Sequence, residues 1–152
     1  MTPDTVSIFV HWLSRFVHVG SVVLFLGGVF YARQVLVPVL DKLPEDTRMS
    51  SAAGAQMRFR AVLWTLLALI VASGTYNLLA GPKHTAIYQA WFGVKILFVL
   101  HILASAILWG TSPYGDVLIA GKSKHRLLSI AISGLIVVAI SAYLRSLTQR
   151  GY

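Results

Sequence analysis

Four long apolar runs constrain this chain more than any other feature of its sequence. They extend from about Ile8 to Leu40, Ala61 to Ala80, Tyr88 to Trp109 and Leu127 to Leu147. Each is at least as long as the roughly 20 residues that an α-helix needs to cross about 30 Å of hydrocarbon. With 57% apolar residues and a mean hydropathy of +0.74, the chain is also more apolar than a soluble domain of 152 residues. The sequence therefore predicts an all-α integral membrane protein.

Short polar segments between the runs favour an antiparallel arrangement of successive helices. We expect a single four-span transmembrane domain over residues 1–152, with spans at about 9–36, 61–80, 88–110 and 127–147. These four transmembrane helices are expected to form an up-down-up-down bundle. The segment from Thr47 to Arg60, ahead of the second span, is expected to form an amphipathic helix that runs along the membrane surface into that span.

Basic residues are distributed unequally between the two sides of the predicted bundle. One side carries Lys42, Arg48, Arg58, Arg60, Lys122, Lys124 and Arg126, and the other carries Arg15, Lys83, Arg145 and Arg150. Cytoplasmic loops of membrane proteins carry an excess of Lys and Arg. We therefore expect a bacterial-type inner (cytoplasmic) membrane with both termini outside. The net charge of +8 reflects this topology, and no nucleic-acid partner is expected.

The chain contains no cysteine, which excludes disulfides, thiolate metal sites, iron–sulfur clusters and covalently attached c-type haem. The strong nitrogen ligands are the five histidines, His11, His18, His84, His101 and His125. All three methionines lie outside the predicted spans, so a thioether pathway for Cu(I) through the membrane is absent.

Two ionisable residues, His18 and Lys95, lie well inside predicted spans. Such residues usually face a protein interior and mark a ligand, proton or ion site, because a charge in hydrocarbon costs several kcal/mol. In the first span, His11, Arg15, His18 and Arg33 fall within an arc of roughly 60° at 100° per residue. This face is expected to look into the bundle. For His11 and Arg15, snorkelling side chains at headgroup level are the alternative.

No predicted span contains an acidic residue that could pair with Lys95. Lys95 is therefore either neutral or paired with an anionic ligand. Its depth in the third span matches that of His18 in the first, and Trp91 shares its helix face. A ligand with carboxylates could be bound by some of Lys95, Arg15 and Arg33. Haem and other porphyrins, with two propionates on an apolar macrocycle, fit that description.

A bis-histidine haem b needs two imidazoles at similar depth on facing helices. His18 and His101 are the best pair for the metal in this sequence. Ligation by His18 with Lys95, or by His18 alone, stays open.

Two segments resemble the HemJ-type protoporphyrinogen oxidases and the related CopD-like four-helix membrane proteins. Residues 16–33 (FVHVGSVVLFLGGVFYAR) look like that family's first span, in which a histidine is followed by apolar residues, a Gly-x-x-Tyr element and an arginine. Residues 91–95 (WFGVK) resemble its later Trp-x-x-x-Lys element. Together the two segments cover at most about a third of the chain.

The resemblance implies a haem-binding helical bundle with His18 as the haem ligand and Lys95 as an essential, catalytic companion. It also implies that Tyr31, Arg33 and Trp91, which belong to the matching motifs, contact the cofactor. HemJ proteins oxidise protoporphyrinogen to protoporphyrin and pass electrons onward in the membrane.

Three functions stay open at this point. The first is a membrane haem b or porphyrin redox protein, either an oxidase or an electron-transfer cytochrome with a membrane electron acceptor. The second is a CopD-like copper-binding or transport protein with His11 and His18 as ligands. The third is an accessory subunit of a larger respiratory or photosynthetic complex in the lipid bilayer. Assembly as a homo-oligomer is compatible with all three.

Overall fold

The structure, a computed structural model, describes residues 3–80, 85–112 and 121–149. Its helices are α1 (Pro3–Tyr31), a π-helix (Ala32–Leu36), α2 (Val37–Leu40), α3 (Glu45–Leu79), α4 (Ala86–Thr111) and α5 (Gly121–Gln149). Lys83, His84 and Arg150, which entered the sequence analysis, lie outside the described residues. So do the side chains of Lys122 and Lys124.

Four helical stretches are long and apolar enough to cross a membrane. They are Thr5–Leu40, Glu45–Leu79, Ala86–Thr111 and His125–Gln149. Many large apolar side chains on them are exposed at the bundle surface, including Ile8 (70%) and Leu97 (68%). Exposure of that kind is expected of side chains that face lipid. The predicted all-α, four-helix membrane protein is confirmed.

The first span keeps its direction through a π-helical turn instead of ending near Tyr31. Pro38 lies just after the π-helix, as the second residue of α2. A proline lacks the N–H of a regular helix, and its ring crowds the carbonyl four residues earlier, here Gln34. Local widening to π-helical geometry is one way in which a helix accommodates such a residue. The π-helix widens the last turns of this span and changes the register of Ala32–Leu36.

The second span is longer than predicted, because α3 is a single helix of 35 residues. At 1.5 Å per residue it is about 52 Å long, well beyond the hydrocarbon thickness. Residues 47–60 are helical and continue into the second span, as the sequence suggested, and they form the first turns of α3. No proline follows Pro44 before the apolar run, so nothing interrupts the helix. Glu45 and Asp46 in its first turn stabilise the start of the helix, because their negative charges lie at the positive end of the helix dipole.

The helices form an antiparallel bundle in which α1 packs mainly on α3 and α4 mainly on α5. Less extensive contacts, of α1 with α5 and of α3 with α4, close the bundle. Glycines mark the close approaches. A Cβ on Gly28 would lie 2.9 Å from the Phe59 ring of α3, and one on Gly134 of α5 would collide with Leu26 of α1. A Cβ on Gly20 or Gly27 of the same helix would meet nothing within 4 Å, so these glycines do not mark a close approach.

We call the half of the bundle where α1 and α4 begin the amino-terminal half. The other half is called the basic half, because Arg33, Lys42, Arg48, Arg58, Arg60 and Arg126 lie there. The main buried apolar cluster lies mostly in the basic half and reaches the middle of the bundle at Phe25 and Leu67. Its members are Phe25, Val29, Ala32, Val37, Leu40, Ala52, Leu63, Leu67, Ala106, Trp109, Leu127, Ile130 and Ala131. The basic half is therefore the packed core of the protein.

Candidate functional site

His18 lies at the α1–α3 interface in the amino-terminal half, where it is half-buried. Its Nδ1 is 3.1 Å from the carbonyl oxygen of Ile70 and 3.1 Å from Oγ of Ser73. The face of α1 that carries His18 is thus turned towards α3, in agreement with the helix-face argument.

The partners of His18 fix which ring nitrogen carries the proton. The hydroxyl of Ser73 donates its own hydrogen to the carbonyl oxygen of Leu69, so its oxygen is left as an acceptor. The carbonyl oxygen of Ile70 can only accept. Nδ1 therefore holds the hydrogen and donates, and Nε2 of the neutral ring keeps its lone pair. Within the part of the chain that the structure describes, Nε2 has no hydrogen-bond partner.

Gly74 allows the imidazole to lie this close to α3. A Cβ at that position would be 3.0 Å from Cε1 of His18 and 4.0 Å from Nε2. Ser14, one turn before His18, donates to the carbonyl oxygen of Ser73 at 3.4 Å. The imidazole is therefore positioned by backbone and hydroxyl groups within about one turn of α3.

Lys95 lies in the same half of the bundle, on α4. It is half-buried, and its Nζ is 5.8 Å from the centroid of the Phe92 ring, within cation–π range. It is also close enough to His18 for a charge on its ammonium group to act on the imidazole. No carboxylate among the described residues pairs with Lys95. That His18 and Lys95 share a layer stays a prediction.

His101 is not part of the His18 site. Its Nε2 is 2.8 Å from Oγ of Ser129 on α5, and its side chain is exposed on the bundle surface. His18, by contrast, is engaged with α3. The structure thus places the two imidazoles of the predicted haem pair on different helix interfaces.

The other predicted contact residues are distributed along the whole bundle. Arg15 is exposed, as expected of a snorkelling side chain, and Trp91 packs edge-on against Tyr143 at 5.4 Å. Tyr31 and Arg33 are 13 and 15 residues after His18, about 20 and 22 Å along the helix. They lie in the basic half and cannot contact the same small group as His18.

His11 also faces α3, with its ring centroid 6.3 Å from that of Tyr76. It is seven residues before His18, about 10 Å along the helix axis, whereas metal–nitrogen bonds are about 2 Å long. One copper ion therefore cannot be held by both rings without a large distortion of α1. No group of three or more His, Cys, Asp or Glu side chains able to hold a metal occurs among the described residues.

Two residues of this stretch of α3 were missed by the sequence reasoning, Ser73 and Asn77, whereas Gly74 had been expected at a close approach between helices. All three occur within a polar interruption of an apolar run, residues 73–77 (SGTYN), which is the signal that could have identified them. Together with Ile70 they share one face of α3 by helical spacing. Oδ1 of Asn77 is buried and has no partner among the described residues.

The chain was compared with protein-family models, with curated proteins and with solved structures, and no match was found.

Proposed function

We propose that this chain is a membrane-embedded redox protein that binds haem b or a related porphyrin through Nε2 of His18. The observation that carries the proposal is the donation of Nδ1–H of His18 to the carbonyl oxygen of Ile70. Histidines that bind metals almost always donate their second ring nitrogen to a carbonyl or carboxylate, which fixes the tautomer and the ring orientation.

The residues around His18 fit such a group in their chemistry. The oriented imidazole of His18 fits the iron, and the apolar side chains around it fit the macrocycle. Lys95, which has no carboxylate partner among the described residues, fits a propionate. These groups support ligation by His18 without His101, whose Nε2 already bonds to Ser129.

The packing of α4 also supports the proposal, because it leaves room for a ligand. None of its residues from 86 to 105 is buried, and its buried residues are Ala106, Trp109 and Gly110. The first five turns of α4 thus contact α5, through Trp91 and His101 among others, but contribute no fully buried side chain to the bundle. A planar ligand between α4 and the α1–α3 pair would need little displacement of a packed core.

In this proposal a bound haem supplies one-electron chemistry, and the chain supplies binding and orientation. Ile70 and Ser73 hold the imidazole in one tautomer. The Lys95 ammonium binds a carboxylate of the porphyrin, which supplies the counter-ion that the spans lack. The HemJ resemblance implies protoporphyrinogen oxidation, with onward electron transfer in the membrane, as the reaction of such a site.

The test is an absorbance spectrum of the detergent-purified protein, oxidised and then reduced with dithionite. The wild type is expected to show a Soret band, and His18→Ala is expected to lose it. His101→Ala and His125→Ala are matched controls, since both remove an exposed imidazole elsewhere, and both should keep the band. Unchanged haem content in purified His18→Ala would contradict the ligand assignment.

Copper is the second candidate for the His18 site, and metal analysis of the same samples separates it from haem. Bound copper without a Soret band, lost in His18→Ala, would replace the porphyrin proposal. A colourless, metal-free protein that purifies with a larger assembly would instead favour an accessory subunit.

A further inference from the structure

An open groove lies in the basic half, far from His18. It has a volume of about 380 Å³ and runs between the end of the first span and α3. Its lining includes Tyr31, Ala32 and Leu36 from the first span, and Arg58, Phe59 and Val62 from α3. The groove belongs to neither the His18 site nor the central core.

The lining is amphipathic. Arg58 is exposed, and the side chain of Tyr31 is 59% exposed, so both present polar groups at the groove. Leu36, Phe59 and Val62 supply an apolar surface. A ligand that matches this lining has an anionic group beside an apolar chain.

The position of the groove along α3 coincides with the membrane boundary. Arg58 lies three residues before the apolar run that begins at Ala61, and Val62 lies one turn further, about 6 Å along the axis. The polar part of the groove is therefore at headgroup level, and the apolar part faces the start of the hydrocarbon. Basic pockets between membrane helices at this depth are typical binding sites for anionic lipid headgroups.

The shape of the groove has local structural causes. The π-helix changes the register of Ala32 and Leu36, and the small side chain of Ala32, only 2% exposed, leaves a depression there. Phe59 closes the groove towards the core, since its ring lies against Gly28 and packs edge-on against Trp109 at 5.2 Å. The groove is therefore a surface feature with a well-supported floor.

We propose that this groove binds an anionic phospholipid. The Arg58 guanidinium binds the phosphate, with the Tyr31 hydroxyl as a second donor, and an acyl chain lies along Phe59 and Val62. Other basic residues of this half, among them Lys42 and Arg126, do not line the groove. The proposal is independent of the redox function.

Native mass spectrometry of the detergent-purified protein, titrated with phosphatidylglycerol or phosphatidylcholine, tests this proposal. The wild type is expected to retain phosphatidylglycerol in preference to phosphatidylcholine. Arg58→Ala is expected to weaken phosphatidylglycerol binding about tenfold, because a charge-assisted hydrogen bond is lost. Arg126→Ala removes the same charge from the same half and should leave binding unchanged.

A second variant separates a lipid groove from a site that binds charge alone. Val62 is 53% exposed, so Val62→Trp can fill the groove without disturbing the core. This variant keeps Arg58 and is expected to lose the lipid. Three results would overturn the proposal: equal losses in Arg58→Ala and Arg126→Ala, wild-type lipid binding in Val62→Trp, or displacement of the lipid by millimolar inorganic phosphate. Retention of a porphyrin in the groove would overturn it too.

Discussion

The two halves of this bundle are built differently, although all four spans pass through both. The basic half holds most of the main cluster of buried apolar side chains, with Trp109 (2% exposed) and Leu127 (1%) among them. In the amino-terminal half, the positions that face other helices carry groups such as His18, Ser73 and Lys95. The basic half is packed for stability. The amino-terminal half retains polar groups between helices, which lowers its stability unless a ligand pairs with them.

The contacts between the two helix pairs show the same difference. The close approaches that join them, Leu26 with Gly134 and Trp64 with Gly110, bring helix backbones together near the middle of the bundle and in the basic half. In the amino-terminal half, α4 has no buried residue before Ala106. Since lipid does not drive helices together as water does, such packing differences determine where a membrane bundle is rigid.

The largest expected effect is on the core of the basic half. Trp109→Ala should lower the free energy of unfolding by about 3 kcal/mol, because a large buried side chain leaves a cavity beside Phe59. Trp91→Ala, in the amino-terminal half, should lower it by about 1 kcal/mol, since Trp91 is 43% exposed and loses mainly its contact with Tyr143. Unfolding in mixed detergent micelles measures both.

Equal losses from the two tryptophan variants would show that the halves do not differ in packing. Trp109→Phe sharpens the test. The indole Nε1 of Trp109 is buried and has no partner among the described residues, so Phe removes an unsatisfied donor and keeps most of the volume. We expect this variant to be more stable than Trp109→Ala.

A smaller effect is expected where α1 crosses α5. Gly134→Ala places a methyl group against the end of the Leu26 side chain, which must change rotamer, so a loss of about 1–2 kcal/mol is expected. Gly93→Ala on α4 is the matched control, because a Cβ there meets nothing within 4 Å. It should be neutral or slightly stabilising, since alanine is the better helix former. A Gly93→Ala loss as large as that of Gly134→Ala would mean that α4 packs more closely than the structure indicates.

The sequence predicted the number and type of the spans because length and apolarity are sufficient to define a membrane helix. It also predicts that His18 and Lys95 share one layer, since depth follows from the helical rise alone. The full length of α3 was missed because its first turns are polar, and polarity does not end a helix that no proline or glycine pair interrupts. The π-helix was missed too. It changes the helical register over a few residues, whereas a helix-face argument assumes a constant rotation of 100° per residue.

Helical periodicity indicates which residues share a face but not which neighbour that face contacts. His101 illustrates this, since its nearest partner is Ser129 on α5 while the His18 ring contacts α3. The sequence could not predict the hydrogen-bond acceptors around His18 either. Ile70 contributes a backbone carbonyl, which any residue type possesses, and Ser73 resembles an ordinary serine of a membrane helix.

The smallest effect is expected at Ser73, and it tests how the amino-terminal half holds its histidine. Ser73→Ala removes one of the two acceptors of Nδ1–H, while the carbonyl of Ile70 still accepts. Haem affinity should therefore fall about tenfold, the lower end of the range for groups that orient a metal ligand, with the Soret band retained at saturating haem. Ser133→Ala, at a buried serine of α5, is the control and should bind as the wild type does. Complete loss of the band would make Ser73 indispensable to the fold of the site, and an affinity equal to that of Ser133→Ala would leave the Ile70 carbonyl as the single group that orients His18.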